Sequence, residues 1–187
     1  MKSSRFNFGR ALSLLCAIFF VSFSFISCQQ EDDEKTFNPS DPVAVKQITN
    51  LAGTWTSAWG EVYIITDSTF VSQGSYEGNN IRVVKISDDS GYIYIKYTKS
   101  YEFTTEDKSS DSTWISTTWP SAGYYRYSTT APDVGKWYAI LYTDLTANHI
   151  NIAGAYGTKS STDTLDEAIE EFTVANGYFG GFSECTK

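Results

Sequence analysis

The sequence predicts a mainly β protein, an antiparallel up-and-down β-barrel of about eight strands with an α-helix near its C-terminus. The composition points that way first: 16% of the residues are aromatic, with 13 Tyr, 12 Phe and 5 Trp, types enriched on pleated, half-buried surfaces. Second, short runs of strand-forming residues recur between turn signals, the pattern of a sandwich or barrel. Third, one late stretch combines apolar residues at helical spacing with a complete N-terminal capping pattern.

The elements follow in order. Residues 54–58 open the series, with Trp59-Gly60-Glu61 as a tight connection to 62–66. Asp67-Ser68 turns the chain into 69–72, and a Gly/Asn-rich loop at 74–80 leads into 81–87. Asp88-Asp89-Ser90-Gly91 is a hairpin connection. The return strand, 92–97, is the clearest. Successive side chains of a strand point to opposite faces, so Ile93, Ile95 and Tyr97 share one face and Tyr92, Tyr94 and Lys96 the other. The isoleucine face is the better candidate for the core. The tyrosine face is either solvated or the lining of a polar-aromatic groove. Residues 104–113 are polar and acidic, as in an exposed loop, and strands are expected at 114–119, ended by Pro120, and at 124–127. Residues 137–143 and 149–156 form the last expected pair. Thr164 caps the helix with Glu167 three residues on, and Asp166 and Glu167 complement the positive end of its dipole. Leu165, Ala168, Ile169, Phe172 and Ala175 form its apolar stripe, and Gly177 is placed to cap it after Asn176.

Ahead of this body, residues 1–27 have the three zones of a secretory signal peptide: Lys2, Arg5 and Arg10, an apolar run at 11–26, and a small residue, Ser27, directly before Cys28. Residues 28–48 carry the acids Glu31, Asp32, Asp33 and Glu34, then Pro39 and Pro42, a composition that favours a disordered, self-repelling tether. Residues 49–187 make the folded domain, a length that fits one core. The net charge is −8, from 14 basic and 22 acidic residues. Residues 1–27 hold three of the bases and none of the acids, so their removal leaves 11 bases against 22 acids, a net −11. Phosphate backbones repel such a chain, which argues against nucleic acid as a partner. Once Cys16 leaves with the signal and Cys28 is modified, only Cys185 remains, so no intramolecular disulfide is available. A buried Cys185 under the last helix is the favoured placement, and an exposed reactive thiol the alternative.

Ile26-Ser27-Cys28 resembles the lipobox of bacterial lipoproteins. That resemblance implies cleavage before Cys28, acylation (palmitate-type chains) of that cysteine, and an outer-membrane or cell-surface location. Each buried CH2 contributes about 0.8 kcal/mol, so two or more chains anchor stably. Gln29-Gln30 followed by acids resembles the export tags of surface lipoproteins. Leu51-Ala52-Gly53-Thr54-Trp55 resembles the Gly-x-Trp entry of lipocalins and lipocalin-like bacterial domains, and the order of elements is similar over residues 51–180. The resemblance implies an eight-stranded barrel with a helix against its wall and Trp55 plugging one end. The series Gly53-Thr54-Trp55, Trp59-Gly60-Glu61, Tyr76-Glu77-Gly78 and Tyr138-Ala139-Ile140-Leu141-Tyr142, with Leu165, Ala168 and Phe172, is similar to uncharacterised spirochaete lipoproteins, which imply no activity.

Catalytic motifs are sparse. His149 is the only histidine, no Gly-x-Ser-x-Gly elbow frames a serine, and His149 with Cys185 makes no zinc set. Asp88-Asp89 and Glu106-Asp107 are expected in turns and loops. The expectation is a protein that is not an enzyme and carries no cofactor or metal. Aromatic side chains supply large contact area with a polar handle, and Trp55, Trp59, Tyr63, Tyr94, Trp114, Trp119 and Tyr138 are the candidate ligand contacts. Two function classes stay open. One is a lipocalin-like binding lipoprotein with a cavity for a small apolar or amphipathic ligand. The other is a surface interaction or adhesion lipoprotein with a filled barrel, whose loops 72–80 and 104–123 contact a macromolecule or glycan.

Overall fold

A computed structural model gives the fold and describes residues 41–187, which belong to one compact unit. Cys28, the signal and most of the tether lie outside the described residues. Ten strands form: β1 (Gly53–Ser57), β2 (Val62–Ile65), β3 (Thr69–Ser72), β4 (Glu77–Lys85), β5 (Gly91–Thr104), β6 (Ile115–Thr117), β7 (Gly123–Ser128), β8 (Trp137–Thr143), β9 (His149–Gly154) and β10 (Ser183–Thr186). Among the described residues one α-helix, α1 (Leu165–Glu171), lies between β9 and β10.

Eight strands close the expected antiparallel barrel in the order β1-β2-β3-β4-β5-β8-β9-β10, with β10 returning to β1. The closing strand β10 lies beyond the predicted elements. It pairs with β9 through Cys185↔Ile150 and with β1 through Ser57↔Cys185, which leaves no open sheet edge between them. The other two strands stand outside the ring. β5 has 14 residues, and only its first part lies in the barrel wall. Its far end, from Ser100 to Thr104, pairs with β7, and β7 pairs with β6. The chain thus leaves the barrel along β5, builds a three-stranded flap above the rim, and returns to the wall at β8.

Register fixes what points inward. Trp55 faces Tyr63, Ile65 faces Phe70, Val83 faces Ile93, Ile93 faces Ile140, and Tyr142 faces Ile152. These side chains, with Ile81, Ile95, Ile150 and Cys185, are all buried, so the barrel is filled by its own residues. The isoleucine face of β5 is therefore the inner one, as expected. The opposite face is covered as well: Tyr94 is buried, the Tyr92 hydroxyl accepts from Val174 N (3.1 Å), and the Tyr92 ring lies 5.6 Å from Phe179. Cys185 is buried inside the barrel rather than under the helix, and its thiol donates to Ser183 O (3.3 Å).

One end of the barrel is closed by Trp55, whose indole N–H donates to Leu51 O (3.0 Å) while Lys187 Nζ sits 4.5 Å over the ring. Gly53, at φ 147°, brings the chain under this plug, where a Cβ would lie 2.6 Å from the Lys187 side chain. The seal starts earlier than the predicted boundary at residue 49. Val43 pairs with Val83, and Val45 and Ile48 in and after the short 3-10 turn Val45–Gln47 are buried, so these residues belong to the domain and not to the tether.

Helix α1 packs on β5 and β8. Its capping box forms as expected: Glu167 N donates to Thr164 Oγ1 (3.2 Å), and Thr164 N donates to Glu167 Oε2 (3.0 Å). The helix ends at Glu171, short of Asn176. Asn176 Nδ2 donates to the last-turn carbonyls of Glu170 (3.0 Å) and Glu171 (2.8 Å), satisfying acceptors that the helix leaves open. Ala168 and Phe172 stay in the apolar seam, while Ala175 is exposed. Gly177, at φ 80°, closes the turn that follows, with its N–H on Val174 O (3.0 Å), instead of capping the helix.

Candidate functional site

The end of the barrel opposite Trp55 is built from tyrosines. Tyr97 on β5 and Tyr138 on β8 stack with ring centroids 4.9 Å apart, and Tyr76, just before β4, meets both edge-on at 6.0 and 5.3 Å. Tyr138 donates to Ala155 O (2.9 Å). Gly154 makes room for this, since a Cβ there would stand 2.5 Å from the Tyr138 hydroxyl. Burial pushes the phenols of Tyr76, Tyr97 and Tyr138 well above the ordinary tyrosine range, with neighbouring tyrosines adding to the shift at Tyr76 and Tyr97. They stay neutral, able to donate and accept, throughout the neutral pH range.

The flap continues this surface. Because side chains alternate along a strand, the parity that turns Ile93, Ile95 and Tyr97 into the barrel also sets Tyr101 and Phe103 on the same side of β5. Register adds Tyr127, Tyr125 and Ile115, opposite Tyr101, Phe103 and Tyr125 respectively. Tyr101 stacks on Tyr125 at 5.7 Å and meets Tyr127 at 5.8 Å. Inside the barrel this row would be core. Above the rim the row is left partly open: Tyr101 is 43% and Ile115 53% exposed, while Tyr125 and Tyr127 are half-buried.

The other face of the flap is polar and tied together. Arg126 donates to Glu102 (2.6 Å) and Thr113 (3.1 Å) and lies 4.4 Å over the Trp114 ring, while Tyr124 donates to Asp107 (2.8 Å). These contacts hold an amphipathic sheet upright with its aromatic face toward the barrel mouth.

Between floor and flap lies a cleft of about 660 Å3, lined by Tyr76, Tyr97 and Tyr138 below and by Tyr101, Tyr125, Tyr127, Thr117, Trp119 and Pro120 on the flap side. Ala155, Tyr156, Gly157, Lys159 and Ser160, after β9, complete it. Its size falls within the ~300–1,000 Å3 of small-molecule sites. No family model, curated protein or solved structure matches this chain.

Of the candidate contacts drawn from sequence, the structure brings Tyr138 and Trp119 together in this cleft. The others lie elsewhere. Trp55 is the plug at the far end, and Tyr63 is inside the barrel with its hydroxyl 3.4 Å from Ser183 Oγ. Trp59 is exposed on the β1–β2 turn, Tyr94 is buried on the outer wall, and Trp114 packs under Arg126 on the polar face of the flap. The sequence does not distinguish Tyr76, Tyr97, Tyr101, Tyr125 and Tyr127 as ligand contacts. The alternation of Tyr97, Tyr101 and Phe103 with polar residues was the available signal, but it does not say where the barrel wall ends.

The titratable residues considered for chemistry have structural partners. His149 Nδ1 lies 3.9 Å from Glu184 across β9 and β10, Asp88 pairs with Lys85 (3.0 Å), and Glu106 pairs with Lys108 (2.9 Å). Asp107 accepts from Ser109 N (2.8 Å) as well as from Tyr124. Among the described residues no group of three or more His, Cys, Asp or Glu is arranged to hold a metal ion. A second cleft, of about 410 Å3, lies beside α1 and is lined by Lys136, Lys159, Asp163, Glu167, Glu170 and Glu171 with Ser161 and Thr162. Two of its ions already have partners, Lys159 on Glu171 and Lys136 on Asp133.

Proposed function

We propose that this protein is a binding lipoprotein: acylated at Cys28, exported to the outer membrane or cell surface, and carrying one small amphipathic ligand at the mouth of its barrel. The observation that carries the reading is the continuation of the barrel's inner face onto the flap. A row of tyrosines with the patterning of a core is left facing water around a 660 Å3 cleft. Exposed apolar surface concentrated in a concave site is the mark of a binding site rather than of packing. The ligand sits at the mouth and not deep in the barrel, because large side chains already fill the interior.

Native mass spectrometry of the protein extracted from its own host tests the site. A discrete added mass that denaturation removes is the expected result, and a clean mass of the lipidated chain alone would count against it. Labelling with an alkyne fatty acid tests the anchor: the parent chain takes the label, and Cys28→Ala does not. A second reading, contact with a surface macromolecule, draws on the exposure of Trp119 (77%) and Tyr156 (80%) at the rim of the same cleft.

A further inference from the structure

Taking the cleft at the barrel mouth as the binding site, we infer that its ligand is an uncharged oligosaccharide. The kind of apolar surface is the first ground. Tyrosine rings, Trp119 and Pro120 line the cleft, and no Leu, Ile, Val or Met does. Just below, the barrel interior is filled by Ile93, Ile95 and Ile140. The chain therefore has aliphatic residues at this depth but does not place them in the cleft. A flexible acyl chain is best surrounded by branched aliphatic groups. A flat ring face suits a ligand that is itself flat and rigid, with polarised C–H bonds that meet the negative face of the aromatic quadrupole. A sugar ring has that face.

Hydroxyl chemistry is the second ground. The hydroxyls of Tyr101, Tyr125 and Tyr127 have no hydrogen-bond partner among the described residues, whereas those of Tyr124 and Tyr138 are engaged by the protein. Ser160 adds one more hydroxyl to the lining, whereas that of Thr117 is held by the Trp119 backbone, donating to Trp119 O (2.8 Å). Each such group both donates and accepts, which matches a ligand rimmed with hydroxyls on every edge. A purely aromatic ligand would stack as well but would leave most of these groups unpaired.

Charge is the third ground. No carboxylate lines the cleft, and its one ammonium, on Lys159, is held by Glu171. A cationic ligand would meet Lys159 with no counter-charge, and an anion would have to compete with Glu171. A neutral ligand faces neither cost.

Finally, the aromatic row is long. Tyr97 and Tyr101 both line the cleft from one face of β5, with Lys99, paired with Glu77 (3.4 Å), between them, and at ~3.3 Å per residue they stand about 13 Å apart. One sugar ring leaves most of that track bare. A chain of several rings covers it, with its end seated on Tyr97 and Tyr138 and later units passing Tyr101 and Trp119.

The test is a titration of the full chain, followed by tryptophan fluorescence and calorimetry. The sugar probes are short neutral glucan, galactan, mannan and N-acetylglucosamine oligosaccharides, and the comparators are dodecanoate, tetramethylammonium and adenosine. At least one sugar probe is expected to bind saturably, more tightly as units are added and with little dependence on salt. Trp119→Ala and Tyr101→Ala, both exposed positions, should each weaken it roughly tenfold while melting as the parent does. If a comparator binds and every sugar fails, with the same two variants losing the comparator, the sugar assignment falls and the site stands. If a sugar binds and neither variant weakens it, the sugar sits elsewhere and the assignment also falls. If no probe of any kind binds, both the assignment and the binding reading of the cleft are overturned.

Discussion

Replacing Trp55 should be among the most damaging single changes in the barrel, and the structure gives the size of the effect. The side chain is completely buried, and truncating a buried Trp to Ala costs ~3–5 kcal/mol in transfer and cavity terms. The change also leaves Leu51 O without its buried donor, a loss of ~1–3 kcal/mol, and removes the ring beneath Lys187, worth ~0.5–1 kcal/mol at an exposed site. These contributions overlap, because all three arise from one ring in one seal, so a total of ~4 kcal/mol is expected. For a domain of this size each kcal/mol lowers Tm by ~2–4 °C, giving a drop of about 8–16 °C for Trp55→Ala. Trp55→Phe keeps most of the ring but loses the indole N–H, so it should fall between the two. Thermal and urea unfolding followed by circular dichroism measure this, with an unchanged urea m-value showing that the same cooperative unit unfolds. A Trp55→Ala chain that melts within about 2 °C of the parent, less than 1 kcal/mol on this scale, would refute the plug.

Four further outcomes follow from the same structure. Cys185 is buried and its thiol is pushed up to about 11, chiefly by burial, so iodoacetamide at neutral pH should leave it unmodified in folded protein and alkylate it fully in urea; rapid alkylation of the folded chain contradicts the placement. The raised phenols of Tyr76, Tyr97 and Tyr138 favour the folded state while protonated, a contribution fully present below the ordinary tyrosine value of 10.0 and lost as pH climbs through the folded values above it. Denaturation midpoints should therefore stay flat toward that pH and fall above it, with late tyrosinate absorbance accompanying unfolding. Gly154→Ala puts a methyl against the Tyr138 hydroxyl and should cost ~1–3 kcal/mol, and adding Tyr138→Phe should recover part of that loss; no recovery would mean that the clash lies elsewhere. Arg126→Ala removes the links to Glu102, Thr113 and Trp114, so hydrogen exchange should quicken at residues 113–117 and stay unchanged in β8 and β9.

Much of the barrel was legible because its strands are amphipathic at period two and its turns carry the residues that turns need. β1, β2, β3, β8 and β9 fall where alternation and turn signals place them, and Thr164 with Glu167 fixes the start of the helix. The failures have physical causes. Gly78, Asn79 and Asn80 suggested a loop, yet they lie inside β4. Gly78 is small because Ile95 occupies the space of a Cβ, and Asn80, at φ 52°, sits where the β4–β5 register shifts between Asn79 and Arg82. The turn-forming residues marked a bulge and not a break in the strand. β10 was invisible because four residues, Ser-Glu-Cys-Thr, hold no local pattern. They become a strand only because β1 and β9 present open edges on either side. Similarly, Asn176 resembled a helical residue before a Gly cap, but its side chain stops the helix from outside.

The site was harder to read than the fold because a tyrosine row on an inner face means core or cleft depending on what lies opposite. Along β5 that partner changes from β8 to β7 at about Tyr97, where β8 ends its pairing at Trp137 and β7 begins at Ser128 opposite Ser100. Below this point the curved wall returns to face itself and the row is buried. Above it the flap has no opposing wall, and the same alternation exposes aromatic rings. The division separates stability from binding. Trp55, Phe70 and the isoleucines hold the barrel, whereas Tyr101 and Trp119 contribute little to it because they remain solvent-facing. Substitutions on the flap should therefore change what is bound while leaving the melting temperature nearly fixed, and substitutions at the plug should do the reverse.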